Sequence, residues 1–160
     1  GGEPFFVRGV LDITGINARH YDISTAEFGD THAERFLKWG SMFRAGSAAL
    51  YDASLTITPE ARAAGFQSRL ELRDRIARAT AHAGIDLWAS MPGTGPAPRG
   101  LAFTGDRAMN VPWTHAGVPC ITIPSGTVEG LPVGLQLSTP FGMDEECFAG
   151  AAAIERLLRA

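Results

Sequence analysis

Apolar positions recur at two different spacings along the chain, and the change of spacing predicts where its elements begin. An apolar run at residues 5–13 is typical of a buried strand. The polar stretch after it predicts a loop, which contains Asn17, His20, Asp22 and Ser24.

The first of two predicted helices begins at Thr31. Thr31 and Glu34 have the spacing of a capping box, and the apolar positions keep a helical period as far as Leu50. Gly40 and Gly46 fall inside this helix, where glycine is unfavourable, and therefore suggest close packing against a neighbour.

The second predicted helix lies between Thr58 and Gly84. Thr58 suits the N-cap and Pro59 suits the first helical position, while Gly84 can adopt the left-handed conformation that ends a helix. We therefore expect residues 31–85 to form a pair of helices.

Short strands replace long helices after residue 85. The predicted elements are a strand at 86–91, a loop at 92–105, a short helical stretch at 107–116, strands at Cys120–Pro124 and Val133–Ser138, and a last helix from about Asp144. The turn at Glu129-Gly130 makes the last two strands a hairpin or neighbouring strands. Helices that alternate with buried strands predict an α/β class.

Composition sets the second half of the chain apart. Charged residues make up 19% of the sequence, below the roughly 25% that is usual in soluble domains. Residues 92–142 contain nine glycines and eight prolines. The charged residues between positions 86 and 143 are Asp86, Arg99, Asp106, Arg107 and Glu129. This composition is typical of the interior of a protein larger than 160 residues.

Charge and hydropathy exclude some classes of partner. The net charge of −3 offers no basic surface, so we expect no nucleic-acid partner. No apolar run approaches the roughly 18 residues of a membrane span. The chain begins at Gly1 and carries no signal-peptide pattern, which suggests a fragment. Cys120 and Cys147 lack metal-ligand spacing, so reduced thiols in a cytoplasmic protein are expected.

The residues alone indicate no complete catalytic set, no metal site and no cofactor. Gly93-Thr94-Gly95 lacks the further glycine or the lysine that a phosphate-binding loop needs. The four histidines have no metal-ligand spacing. Ser125 lacks the flanking glycines of a nucleophile elbow and suits a turn. Nothing around Lys38, the single lysine, indicates the desolvated site that a catalytic lysine needs.

Residues 86–158 contain several motifs in a specific order. They are Asp86 six residues before Pro92, Gly95-Pro96-Ala97-Pro98, Asn110 through Gly117-x-Pro119, Ile121-x-Ile123-Pro124-x-Gly126, the segment GLPVGLQL at 130–137, and Gly142-x-Asp144-Glu145. This order resembles the C-terminal part of the amidase signature family of serine hydrolases. Residues 31–85 fit less specifically, as the two helices that precede this part.

The resemblance implies a large α/β/α fold in which helices flank a central mixed β-sheet. Residues 1–160 would be the C-terminal fragment of a single amidase domain. The implied activity is hydrolysis of amide C–N bonds by a Ser nucleophile, a second Ser in a cis peptide and a Lys base. In the family these lie in an upstream Gly/Ser-rich signature, and this sequence has no adjacent pair of serines. We therefore assign no catalytic residue and expect the chain alone to be inactive.

Substrate contacts are expected from the irregular, nearly uncharged segment. The candidate substrate-binding residues are Thr94 in the loop 92–105, with Trp113 and Thr114, near the acyl or leaving-group side of the pocket. The expected partners are a small-molecule amide and the missing N-terminal part of the same enzyme, and a homo-oligomer is a further option. The alternatives are a naturally truncated, non-catalytic amidase-like binding module and one chain of a proteolytically split enzyme. The sequence does not select the amide.

Overall fold

The computed structural model describes residues 13–159, which form five α-helices, one short 3-10 helix and three strands. In chain order they are α1 (Ile13–Trp39), the 3-10 helix (Gly40–Met42), α2 (Ala45–Ser54), α3 (Pro59–Ala83), β1 (Trp88–Ser90), α4 (Val111–Ala116), β2 (Cys120–Val128), β3 (Leu131–Ser138) and α5 (Asp144–Leu158). The strands form one sheet in the order β1-β3-β2, and both pairs are antiparallel.

The first helix is longer than the sequence pattern predicts. Residues 17–24 belong to α1 and not to a loop, and Thr31 lies within that helix instead of starting it. The cause is packing, because Ile16, Ile23 and Ala26 occupy one buried face at helical spacing. Of the strand predicted at 5–13, residues 5–12 lie outside the described residues, and residue 13 begins α1.

The predicted helix from Thr31 to Leu50 is two helices in the structure. α1 and α2 are separated by the 3-10 helix, and α2 turns back along α1. The Phe36 and Tyr51 rings stack with centroids 4.0 Å apart, which stabilises this reversal. The prediction of close packing at Gly46 is wrong, because no atom lies within 4 Å of the position that its Cβ would take.

The second predicted helix is confirmed as α3. The Thr58 hydroxyl accepts a hydrogen bond from the Ala61 amide at 3.1 Å, which caps the first turn. Gly84 ends the helix with φ of 62°, a left-handed conformation that glycine adopts without strain.

The second half of the chain forms the sheet and its covering helix. The hairpin of β2 and β3 is confirmed, with both strands longer than predicted, and α5 begins at Asp144 as expected. The mixture of helices and sheet therefore agrees with the predicted class.

Two apolar clusters hold these elements together. The first joins α1, α3 and α4, and β1 contributes the ring of Trp88 to it. Its buried members are Ile16, Leu72, Ile76, Val111, Trp113, Ala116 and Val118. The second lies between the sheet and α5 and centres on Ile123, Leu137 and Ala151. β1 connects the two clusters, because Trp88 packs against the first and the β1 backbone pairs with β3 of the sheet.

Candidate functional site

A polar cavity of about 270 Å³ lies between the loop 92–105 and the start of α4. Side chains from both segments line it: Thr94, Thr104, Asp106, Arg107 and Asn110. The remaining wall is proline, glycine and alanine, and the prolines fix the backbone of a segment that has no regular hydrogen bonding. The loop thus forms a defined concave surface.

Two side-chain hydrogen bonds hold the rim of this cavity. The Asn110 Nδ2 donates to the Pro92 carbonyl at 2.9 Å, which ties the beginning of the loop to the beginning of α4. The Asp106 carboxylate accepts from the Ala108 amide at 2.8 Å, which shapes the turn before α4. Arg107 makes no ion pair within residues 13–159, so its guanidinium remains available to an anionic group.

An apolar cavity of about 330 Å³ adjoins the polar one. It is lined by Met91, Val128 and Val133 together with Pro92, Gly93, Gly95 and Pro96 of the loop. Because Pro92, Gly93, Gly95 and Pro96 line both cavities, the loop separates a polar compartment from an apolar one. Such a pair of surfaces suits a small molecule that has one polar end and one apolar end.

The structure places the three predicted substrate-binding residues in different surroundings. Thr94 is exposed and lines the polar cavity. Trp113 is only 5% exposed and packs in the first apolar cluster, where its ring centroid lies 6.2 Å from that of Trp88. Thr114 is exposed on α4 and, like Trp113, is absent from the lining of the polar cavity. Their roles toward a substrate stay predictions.

Sequence reasoning missed Thr104, Asp106, Arg107 and Asn110 as lining residues. A signal existed for two of them, because Asp106 and Arg107 are adjacent charges within a stretch that is otherwise almost uncharged. No comparable signal marks the contact of Asn110 with Pro92, since it joins residues 18 positions apart.

The cavity can bind a polar group but offers neither a serine nor a base beside one. Its lining, within the part of the chain that the structure describes, contains no serine, cysteine, histidine or lysine. Lys38 lies far along the sequence on α1, exposed, with its Nζ 4.7 Å from the Trp39 ring centroid. Residues 13–159 also contain no group of three or more His, Cys, Asp or Glu side chains that would hold a metal ion.

Comparison with known sequences gives a local match. No family model matches the chain. Over 47 residues, 29% of this chain, it is 51% identical to the A subunit of glutamyl-tRNA(Gln) amidotransferase from Streptococcus uberis. The corresponding protein of Streptococcus pyogenes is 49% identical over 47 residues. The matched segment spans only 10% of the length of each of these curated relatives.

Solved structures match over most of the chain. A crystal structure of an amidase superposes with a TM-score of 0.81 over 92% of this chain, at 22% identity. A bacterial aryl acylamidase of the amidase signature family superposes with a TM-score of 0.68 over 96% of this chain, at 15% identity. The chain covers 36% of each of these structures, so what is shared is the fold of about a third of such an enzyme.

None of the helices between residues 13 and 159 combines the length and the apolar character needed to cross a lipid bilayer.

Proposed function

We propose that this chain is part of an enzyme that hydrolyses amide C–N bonds. The fold and the local sequence match relate the chain to a C-terminal portion of the amidase signature family. The superposition on an amidase at a TM-score of 0.81 carries this proposal. The segment that is 51% identical to part of an amidotransferase supports it independently.

The catalytic serines and lysine of this enzyme would lie outside the 160 residues. Two observations support that part of the proposal: the sequence has no adjacent serines, and neither a serine nor a lysine lines the cavity in the described residues. A binding wall without the nucleophilic serine cannot form the acyl-enzyme intermediate of such an enzyme. The chain alone is therefore expected to be inactive.

The polar cavity would supply one wall of the substrate pocket. Thr94 and Asn110 present a hydroxyl and an amide, groups that can hydrogen-bond the substrate amide or its neighbouring atoms. The adjoining apolar cavity would take the hydrocarbon part of the same molecule. Trp113 would act from the core by fixing the position of α4. Thr114 would contact the substrate from its exposed position on the same helix.

The rest of the same enzyme would be the main protein partner of this chain. Within the described residues β2 pairs only with β3, so its other edge offers unpaired backbone groups. Large apolar side chains also stand exposed near this half: Leu101, Phe103, Phe141 and Phe148. A cytoplasmic location accords with two free cysteines. A homo-oligomer would be an assembly of the complete enzyme.

The test measures ammonia and amine release from a panel of aliphatic and aryl amides. The 160-residue chain is assayed alone and as part of the protein encoded together with its upstream coding sequence. We expect no turnover from the chain alone and turnover from the longer protein. In the longer protein, Thr94→Ala, Trp113→Phe and Thr114→Ala are expected to change the ratio of kcat/KM between small and aryl amides.

Thr31→Ala, at an exposed threonine on α1, is the matched control and should leave this ratio unchanged. Amide hydrolysis by the chain alone would contradict the proposal, as would an unchanged ratio in all three site variants. An upstream sequence that lacks the serines and lysine, with no turnover of any amide, would favour the non-catalytic binding module.

A further inference from the structure

A cluster of one buried and two half-buried polar side chains lies where α1, α3 and α4 meet. His115 on α4 is completely buried. Its Nε2 lies 2.7 Å from the Ser68 Oγ on α3. Its ring meets the His20 ring of α1 edge to face, with centroids 5.7 Å apart. One imidazole therefore contacts both long helices.

The contact with Ser68 limits how this imidazole can be protonated. The Ser68 hydroxyl has one proton and two acceptors within reach, the Gly65 carbonyl at 3.0 Å and the His115 Nε2 at 2.7 Å. When Ser68 donates to Gly65, the Nε2–H of His115 donates to the Ser68 Oγ. In either tautomer Nδ1 has no hydrogen-bond partner among the described residues.

A second proton on His115 would create a buried cation in unfavourable surroundings. The charged and titratable groups that act on the two histidines or contact α4 are His20 and Glu27 on α1, Arg69 and Arg73 on α3, and Arg107 just before α4. On the side of Ser68, Arg19, Glu71 and Arg75 line an adjoining cavity. Glu27 is the acid that acts on His20, and it is already 3.6 Å from the Arg69 guanidinium. Protonated His115 would therefore find repulsion and no acceptor.

The pKa values agree with this geometry. Burial, then the neighbouring His20 and Arg69, lower the pKa of His115 to about 4. Burial, then Arg107 and Arg69, also lower the pKa of His20, while Glu27 raises it. Both rings are thus neutral at pH 7 in the folded protein.

We propose that His115 is a proton-sensitive latch: in its neutral form it holds α4 between α1 and α3, and its protonation releases α4. Release of α4 would also loosen the loop 92–105, because Asn110 at the start of α4 holds Pro92. The effect on substrate binding rests on the proposed function, whereas the latch itself does not.

The direction and the size of the pH effect on α4 follow from the pKa of His115 in the latched state and in the released state. A histidine in released α4 has the ordinary pKa of about 6.5 and binds a proton more readily than latched His115, so acid favours release. Between pH 7 and pH 5 the equilibrium constant for opening α4 should rise about 20-fold. Above pH 7 it should be nearly constant.

Hydrogen exchange measured by NMR tests this on the 160-residue chain without any substrate. The reporters are the amides of Thr114, Gly117 and Val118, whose hydrogen bonds form only when α4 is folded. The Cys147 amide, bonded to the Met143 carbonyl in α5, is the internal control. We expect protection of the α4 amides to fall about 20-fold between pH 7 and pH 5 and that of Cys147 to change much less.

His115→Gln keeps a donor toward Ser68 but cannot be protonated, and it should abolish the pH dependence. His82→Gln, at an exposed histidine near the end of α3, is the matched control and should retain it. If His115→Gln does not fold, the pKa of the His115 ring, measured by NMR titration of the unaltered chain, tests the latch instead. An ordinary histidine pKa with α4 still protected would overturn the latch, as would α4 protection that is equal at pH 7 and pH 5.

Discussion

Gly65 marks the closest approach of α1 and α3, and replacing it with alanine tests the packing of the helical layer. Gly65 is buried, and a Cβ built on it would overlap the Cγ2 of Ile23, a side chain that is itself completely buried. The same Cβ would lie 3.2 Å from the Arg19 carbonyl oxygen, which belongs to the α1 backbone. Neither neighbour can move aside without shifting α1.

The expected magnitude comes from two opposing effects. Alanine is favoured over glycine inside a helix by up to about 1 kcal/mol. Overpacking in a closed core costs about 1–3 kcal/mol, and here both a core side chain and a backbone atom obstruct the new methyl group. We therefore expect Gly65→Ala to lower the free energy of unfolding by about 1 kcal/mol. Gly46→Ala on α2, where the space is open, should raise it by about 0.5–1 kcal/mol.

Urea unfolding of the 160-residue chain, followed by far-UV circular dichroism, measures both variants under the same conditions. Ile23→Ala removes the obstructing Cγ2, so the Ile23→Ala/Gly65→Ala double variant should be more stable than the sum of the single effects predicts, by about 1 kcal/mol. The packing argument fails if Gly65→Ala is as stable as Gly46→Ala, or if the two effects in the double variant are additive.

Two further predictions concern the elements that carry the cavity. Asn110→Ala removes the hydrogen bond to the Pro92 carbonyl, worth about 1 kcal/mol, so trypsin should cleave the loop at Arg99 about fivefold faster. Thr31→Ala should leave the cleavage rate unchanged. An unchanged rate in Asn110→Ala would contradict the role of this hydrogen bond. The Arg73 Nε donates to the Ala116 carbonyl at 2.9 Å and its guanidinium lies 3.7 Å from the Phe141 ring centroid. Arg73→Lys should therefore lower the free energy of unfolding in urea by about 1–2 kcal/mol. Arg75 is exposed on the same helix, and Arg75→Lys should leave the free energy of unfolding unchanged. Equal effects of the two substitutions would refute the role of the Arg73 contacts.

The bounds of elements that end at local capping residues could be predicted from the sequence. The bounds of elements that depend on contacts between distant residues could not. Thr58 and Gly84 specify the ends of α3 through their own side chain and backbone, so the sequence shows where it begins and ends. α1 has no such signal, because its buried face is completed by residues of α3 and α4 that lie far along the chain. Its polar exposed face instead has the pattern of a loop.

The same distinction applies to the candidate site. Composition pointed to the loop 92–105, and Thr94 does line the polar cavity. Trp113, however, has the bulk and apolar surface that suit either a pocket wall or a core, and only the packing of α4 shows that it is buried. The Ser68–His115 contact joins residues 47 positions apart and leaves no trace in the local sequence.

The cavity and the proposed latch would be coupled through the loop 92–105, which connects β1, where the two apolar clusters meet, to α4. Trp88 of β1 packs into the helical cluster and donates its Nε1–H to the Thr80 Oγ1 at 2.8 Å, while the backbone of β1 pairs with β3 of the sheet. The loop 92–105 leaves this junction and returns to it at α4. A ligand that binds the cavity only when α4 is in place stabilises the folded position of α4. Because linkage is reciprocal, the free energy by which the ligand stabilises α4 equals the free energy by which α4 favours ligand binding. Occupying the cavity should therefore lower the pH at which His115 releases α4.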